Sequence, residues 1–193
     1  MCGQLAFYFE QKSCTGCSTC SIACKDKNNL EVGQNFRKVY EVSGGNYKKR
    51  GSAVFPQVYA FWVSISCNHC LDPACMKSCP TGAIRKRKRD GIVYICEEKC
   101  TGCRRCIKSC PYKAPQYDER IKKVRKCDFC MDLLDEGKEP ACVAACPMRA
   151  LKYGPLQLIR ERYGKVNEVQ GMPGSHITEP ALVISPHRDA VKK

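Results

Sequence analysis

The sequence predicts an α+β fold of two small, loop-rich modules built from short strands, hairpins and short helices. Three observations lead there. Sixteen of the 18 cysteines fall into four quartets, the apolar content is modest, and Gly, Pro and Asp turn signals cut the chain into short segments. Of the 193 residues 44% count as hydrophobic, but without the cysteines about 35% remain, low for a self-sufficient globule. Something besides apolar burial must hold such a chain. Groups bound by cysteines from remote segments would do so, because metal-binding free energy becomes folding free energy.

The quartets are Cys14, Cys17, Cys20, Cys24; Cys67, Cys70, Cys75, Cys79; Cys100, Cys103, Cys106, Cys110; and Cys127, Cys130, Cys142, Cys146. The third, followed by Pro111, has the C-x2-C-x2-C-x3-C-P run of bacterial ferredoxins. There, three cysteines hold one [4Fe-4S] cluster and the fourth reaches the partner cluster. Three thiolates on a tight loop can cap three irons of a cubane, while the fourth, stiffened by a Cys-Pro bond, is carried out of that loop's reach. Two runs in tandem therefore complete each other: Cys67, Cys70, Cys75 with Cys110, and Cys100, Cys103, Cys106 with Cys79. The first and fourth quartets must then pair for the count to close: Cys14, Cys17, Cys20 with Cys146, and Cys127, Cys130, Cys142 with Cys24. The chain leaves a first ferredoxin-like module (1–57 and 118–193), builds a second (58–117), and returns.

In chain order, residues 5–10 alternate and are aromatic-rich, which reads as a strand leading into the first quartet. Within the 42 residues separating Cys24 from Cys67, segments 36–42 and 58–66 read as strands, with a turn at Gly44-Gly45 and a lysine-rich loop up to Ser52. Tyr59, Phe61 and Trp62 on the second strand read as core packing rather than an electron conduit. His69, inside the second quartet, reads as a loop residue that hydrogen-bonds locally or tunes a cluster, since that quartet is already complete. Residues 83–86 and 92–95 form a hairpin turning at Asp90-Gly91, its tip a solvated basic run, 85–89. Cys2 and Cys96 read as free thiols. In the fourth quartet the eleven residues between Cys130 and Cys142 make a surface excursion. A helix over 156–163, a strand over 181–184 and a frayed Lys-rich end complete the chain.

The formal charge of +14 counts every cysteine as neutral; sixteen thiolates and four cores of charge 2+ bring it to roughly +6 in the oxidised holo-protein. The basic residues thus offset anionic clusters, and nucleic acid is not the expected partner. Zinc ribbons also use C-x2-C pairs, but they need neither the third cysteine at x2 nor the proline after three of the quartets. Crowded quartets argue against a disulfide scaffold, as does an amino terminus unlike a signal peptide. No stretch of 18 apolar residues could span a membrane. The histidines His69, His176 and His187 are scattered, with no nucleophile-base pairing to read, so no catalytic residue is assigned. Four clusters without a substrate site describe a wire.

The quartets in this order, the x4 loop of the second, the long spacer of the fourth, and the phrases Ser66-Cys67-Asn68-His69-Cys70, Cys110-Pro111-Tyr112 and Cys146-Pro147-Met148-Arg149-Ala150-Leu151 resemble the four-cluster electron-transfer subunit of the dimethyl sulfoxide reductase family. The resemblance covers nearly the whole chain. It implies a non-catalytic relay partnered by a molybdopterin catalytic subunit, holding molybdenum or tungsten, and by a quinone-reactive membrane anchor. It implies an order as well: the cluster of Cys14, Cys17, Cys20 and Cys146 nearest the catalytic subunit, then those completed by Cys24, by Cys110 and finally, toward the membrane, by Cys79. The nitrate reductase relative carries tryptophan where Cys103 stands and holds a [3Fe-4S] cluster, so Cys103 implies four cubanes. Maturation in the cytoplasm and membrane association through partners are expected, with folded export beside a twin-arginine-signal partner compatible with either membrane face. Equivalent relays in formate dehydrogenase, thiosulfate or polysulfide reductase and hydrogenase complexes are the alternative.

Overall fold

A computed structural model describes residues 3–191, so Cys2 and the last two lysines lie outside the described residues. Strand β1 (Leu5–Glu10) is the centre of a three-stranded sheet, antiparallel to β8 (Leu151–Pro155) and parallel to β9 (Leu182–Ser185). Its period-2 alternation is used on both faces. Phe7 and Phe9 point into the core shared with the cysteines, and Ala6 and Tyr8 pack on Leu156 and Ile159 of helix α6 (Leu156–Tyr163). Phe7 stacks on Phe129 with centroids 4.0 Å apart, and Tyr8 on Tyr163 at 3.9 Å, contacts worth about 0.5–1.5 kcal/mol each beyond their burial. A chain short of aliphatic side chains thus closes its core with aromatic pairs and cysteines.

The remaining elements are short, as the turn signals require. After the first cysteine loop come α1 (Thr19–Lys27) and the hairpin of β2 (Lys38–Arg50) and β3 (Ala53–Ile65). Then follow α2 (Ala74–Lys77), the β4–β5 hairpin (Ile84–Lys86, Val93–Ile95), α3 (Arg105–Ser109) and the β6–β7 hairpin (Gln116–Asp118, Lys123–Arg125). Helices α4 (Met131–Asp135) and α5 (Ala141–Ala144) lead into β8.

The expected turn at Gly44-Gly45 is not where the chain reverses. Both glycines lie inside β2, and the reversal is the two-residue Gly51-Ser52 turn, with Gly51 at φ +61. The glycines serve clearance instead: a Cβ on Gly45 would strike the Gln57 carbonyl across the ribbon, and one on Gly44 would meet the Tyr59 hydroxyl at 2.8 Å. Near its base the ribbon is core, with Phe61 and Val63 each 1% exposed; its far half leaves Tyr47, Val54, Phe55 and Val58 in solvent. Trp62 packs over Gly16, in line with a packing role.

The basic run is not a solvated tip throughout. Arg87 and Arg89 both pair with Asp90 and with Asp135 of α4, and Lys86 Nζ donates to the Cys70 carbonyl at 2.9 Å and the Leu71 carbonyl at 3.2 Å. Asp90 on the hairpin itself gathers the arginines, while Asp135 and the Cys70 and Leu71 carbonyls clasp the hairpin to its neighbours.

Candidate functional site

Each cysteine loop is shaped by backbone that few residues tolerate. In the first and third quartets the sequence Cys-Thr-Gly-Cys recurs: Gly16 and Gly102 sit at φ +72 and +70, and Ser18 and Arg104 at +60 and +61. The glycines let the loop curl around a centre while the third cysteine enters the following short helix. A Cβ would collide with Trp62 at Gly16 and with the Lys122 carbonyl at Gly102. In the second and fourth quartets the third cysteine, Cys75 or Cys142, lies in a four-residue helix, α2 or α5, whose N-cap is proline.

Folding gathers cysteines that are remote in sequence. Cys67, Cys70, Cys75 and Cys110 line one cavity with about 360 Å³ free of protein atoms. Cys14, Cys17, Cys20 and Cys146 line a second of about 330 Å³. A third, of about 310 Å³, is lined by Cys79, Cys100, Cys103 and Cys106. Cys24, Cys127, Cys130 and Cys142 are all buried, and their thiols are electrostatically coupled: Cys24 to Cys142, Cys130 and Cys127, and Cys130 to Cys142. Among the described residues, no group of three or more His, Cys, Asp or Glu is arranged to hold a single metal ion. Three of the four sets thus line a volume, as the binding of a cubane requires.

The surroundings also suit an anionic sulfide cluster. Among the described residues Asn68 Nδ2 is buried without a hydrogen-bond partner, and Asn68 lines the cavity of Cys67, Cys70, Cys75 and Cys110; the Tyr112 hydroxyl, on the same wall, has Thr178 as its neighbour. A donor left free beside a cavity fits an acceptor sulfur. Burial pushes the thiols of Cys24, Cys70 and Cys75 up to about 12, with neighbouring cysteines adding to the rise, so their thiolates call for bound cationic charge.

His69 is 1% exposed and held at φ +43. Its Nδ1 accepts the Val93 amide at 3.0 Å, which leaves the proton on Nε2, 3.7 Å from Cys127 Sγ. Burial, followed by the charge of Lys126, drives its pKa well below 6.5, so the ring is neutral. The ring's partners are remote rather than local as expected, Val93 lying 24 positions away and Cys127 58. Cys96 stands apart from the quartets, its thiol donating to Glu98 Oε2 at 3.3 Å. Two buried cations, Arg37 and Lys126, escaped the sequence reading. Nothing marks Arg37 in its segment, and Lys126 is hidden in a basic cluster.

A 4Fe-4S dicluster domain matches residues 58–156, and a 4Fe-4S binding domain matches residues 11–32. The B subunit of the anaerobic dimethyl sulfoxide reductase of Escherichia coli (strain K12) is 45% identical over 190 residues, covering 98% of this chain and 92% of the relative. The protein belongs to the family of dimethyl sulfoxide reductase B subunits. Another member, from Haemophilus influenzae Rd, is 46% identical over 188 residues, covering 97% of this chain and 91% of its own. The dimethylsulfide dehydrogenase subunit beta of Rhodovulum sulfidophilum is 29% identical over 231 aligned positions, covering 83% and 71% of the two chains. As a member of the B-subunit family, the protein is an iron-sulfur electron-transfer subunit whose cofactors are [4Fe-4S] clusters. None of the helices among the described residues is long and apolar enough to cross a membrane.

Proposed function

We propose that this chain is the relay of a dimethyl sulfoxide reductase-type respiratory complex. It would connect a molybdopterin catalytic subunit, with molybdenum or tungsten, to a quinone-reactive membrane anchor, and have no catalytic site of its own. Four clusters are held by Cys14, Cys17, Cys20 and Cys146; by Cys127, Cys130, Cys142 and Cys24; by Cys67, Cys70, Cys75 and Cys110; and by Cys100, Cys103, Cys106 and Cys79. When bound, the clusters supply one-electron redox chemistry at potentials set by charge, hydrogen bonds to sulfur and solvent exposure.

The observation that carries this reading is the distribution of exposure along the proposed wire. Cys17 and Cys103, in the first and last sets, are exposed, whereas Cys24, Cys127, Cys130 and Cys142 are all buried, as are Cys67, Cys70 and Cys75. Accessible sulfurs at two ends and enclosed sulfurs between them are what a through-protein relay needs, since the ends must meet partners and the middle must not leak electrons. Neighbouring sets also touch electrostatically, Cys20 with Cys142 and Cys127 with Cys67. We take the modules as 1–57 with 118–193, and 58–117; these limits follow the ligand sets rather than the strands, since β3 and β6 each run across one. Membrane association then comes through the anchor subunit, after maturation in the cytoplasm.

The crossed fourth cysteines test the assignment. In complex purified without air, Cys110→Ser should alter the same paramagnetic resonance signal as Cys70→Ser, and Cys79→Ser the same signal as Cys103→Ser. If Cys110→Ser and Cys103→Ser instead changed one common signal, the ligand sets would be wrong.

A further inference from the structure

Two cations are buried at the junctions between cysteine sets, and neither forms an ion pair with a carboxylate among the described residues. Arg37 is 2% exposed. Its Nη1 donates to Ser64 Oγ at 3.2 Å and its Nη2 to Ser66 Oγ at 3.0 Å, and its guanidinium lies 4.7 Å from the centre of the Phe7 ring. Nε is buried, and the guanidinium also approaches the Cys142 thiol. Ser64 Oγ in turn stands 3.5 Å from Cys20 Sγ, while the thiols coupled most strongly to the guanidinium are Cys142 and Cys20, from different sets.

Lys126 is 5% exposed and makes the corresponding contact one junction along. Its Nζ donates to Cys127 O at 2.7 Å, to Val93 O, and to Cys67 Sγ at 3.5 Å. Three acceptors take up three N–H bonds, as an ammonium requires. Cys67 and its own neighbour Cys127 again belong to different sets. At the third junction Ser78 and Ser109, which precede Cys79 and Cys110, meet hydroxyl to hydroxyl at 2.7 Å, a neutral contact.

A buried cation is tolerated only beside an anion, and an oxidised [4Fe-4S] core with four thiolates carries about two negative charges, gaining another on reduction. We propose that Arg37 and Lys126 are positioning charges shared between successive clusters. Arg37 serves the clusters of Cys14, Cys17, Cys20, Cys146 and of Cys24, Cys127, Cys130, Cys142; Lys126 serves the latter and that of Cys67, Cys70, Cys75, Cys110. This rests on the ligand sets proposed above. Each cation favours the reduced state of both neighbours and offsets the repulsion an electron on one exerts on the other. The third junction carries the neutral contact of Ser78 and Ser109.

The test is a redox titration, followed by paramagnetic resonance, of the complex purified without air. Signals are first assigned to sets through Cys70→Ser and Cys130→Ser; signals that cannot be so assigned overturn the ligand sets, not merely the charge role. Lys126→Met should then make the two clusters flanking it harder to reduce by about tenfold or more, some 59 mV per tenfold for a one-electron couple, leaving the other two unmoved. Lys126→Arg should restore the native values. Arg37→Gln and Arg37→Lys should behave in parallel at the first junction, and supply the reading if Lys126→Met fails to load full iron. Correctly assigned, fully loaded clusters whose potentials do not move, or move equally at all four, overturn the charge role, as would Lys126→Arg shifting as far as Lys126→Met.

Discussion

His69 places its protonated Nε2 3.7 Å from Cys127 Sγ, while Lys126, the residue before Cys127, donates back to Cys67 Sγ at 3.5 Å. The second and fourth quartets are thereby braced reciprocally, each through a residue adjacent to or within the other's loop. His69 thus ties its own cysteine loop to Val93 and to the fourth quartet.

His69→Ala should be costly, because it strands the buried Val93 amide and opens a cavity beside Phe129, whose ring meets the imidazole edge-on at 5.1 Å. The expected loss is about 2–4 kcal/mol, read by denaturant unfolding of the reconstituted full chain under exclusion of air. A loss below about 0.5 kcal/mol would show that this tie carries no weight.

Gly16→Ala should weaken the first cysteine loop, since the new Cβ meets the Trp62 indole and the backbone sits at φ +72. Gly137→Ala is the matched control: it too has positive φ, +76, but nothing lies within 4 Å of its Cβ. The control should cost about 1 kcal/mol and Gly16→Ala clearly more. Equal losses from the two would leave the Trp62 contact without effect.

Asn68→Ala removes a buried donor that has no protein partner among the described residues. With that donor facing cluster sulfur, the change lowers the potential of the Cys67, Cys70, Cys75, Cys110 cluster by on the order of 40 mV, the equivalent of about 1 kcal/mol. Fold stability should hardly fall, because no protein acceptor is stranded. An unchanged potential contradicts the assignment of this donor.

Asp135→Asn probes the clasp on the basic hairpin. Asp135 pairs with Arg87 and Arg89, but its side chain is 46% exposed, so solvent screening limits the loss to about 1 kcal/mol or less. High salt should erase the difference from the native chain. A loss that persists in salt would point to a packing role instead.

Much of this was legible because cluster chemistry imposes strict spacing on cysteine, and because alternation at 5–10 and the Asp90-Gly91 turn are local signals. β1, the β4–β5 hairpin and α6 sit where expected. The reversal at Gly51-Ser52 was hidden by Gly44-Gly45, a stronger turn signal that the ribbon uses for close cross-strand approach. Arg37 could not be found from sequence, since an arginine within the expected 36–42 strand reads as surface until Ser64, Ser66 and Phe7 are seen to enclose it. The clasp of Arg87 and Arg89 on Asp135 joins residues more than 40 positions apart, beyond any local pattern.

Sixteen quartet cysteines holding four cubanes fix the iron content of the chain. Iron and acid-labile sulfide are counted in the complex purified without air through a tag on this chain, with the metals of co-purifying subunits counted separately. About sixteen irons and sixteen sulfides per chain, with molybdenum or tungsten on a large partner, is the expected result. Zinc in place of iron, or about eight irons in fully folded chain, would contradict it.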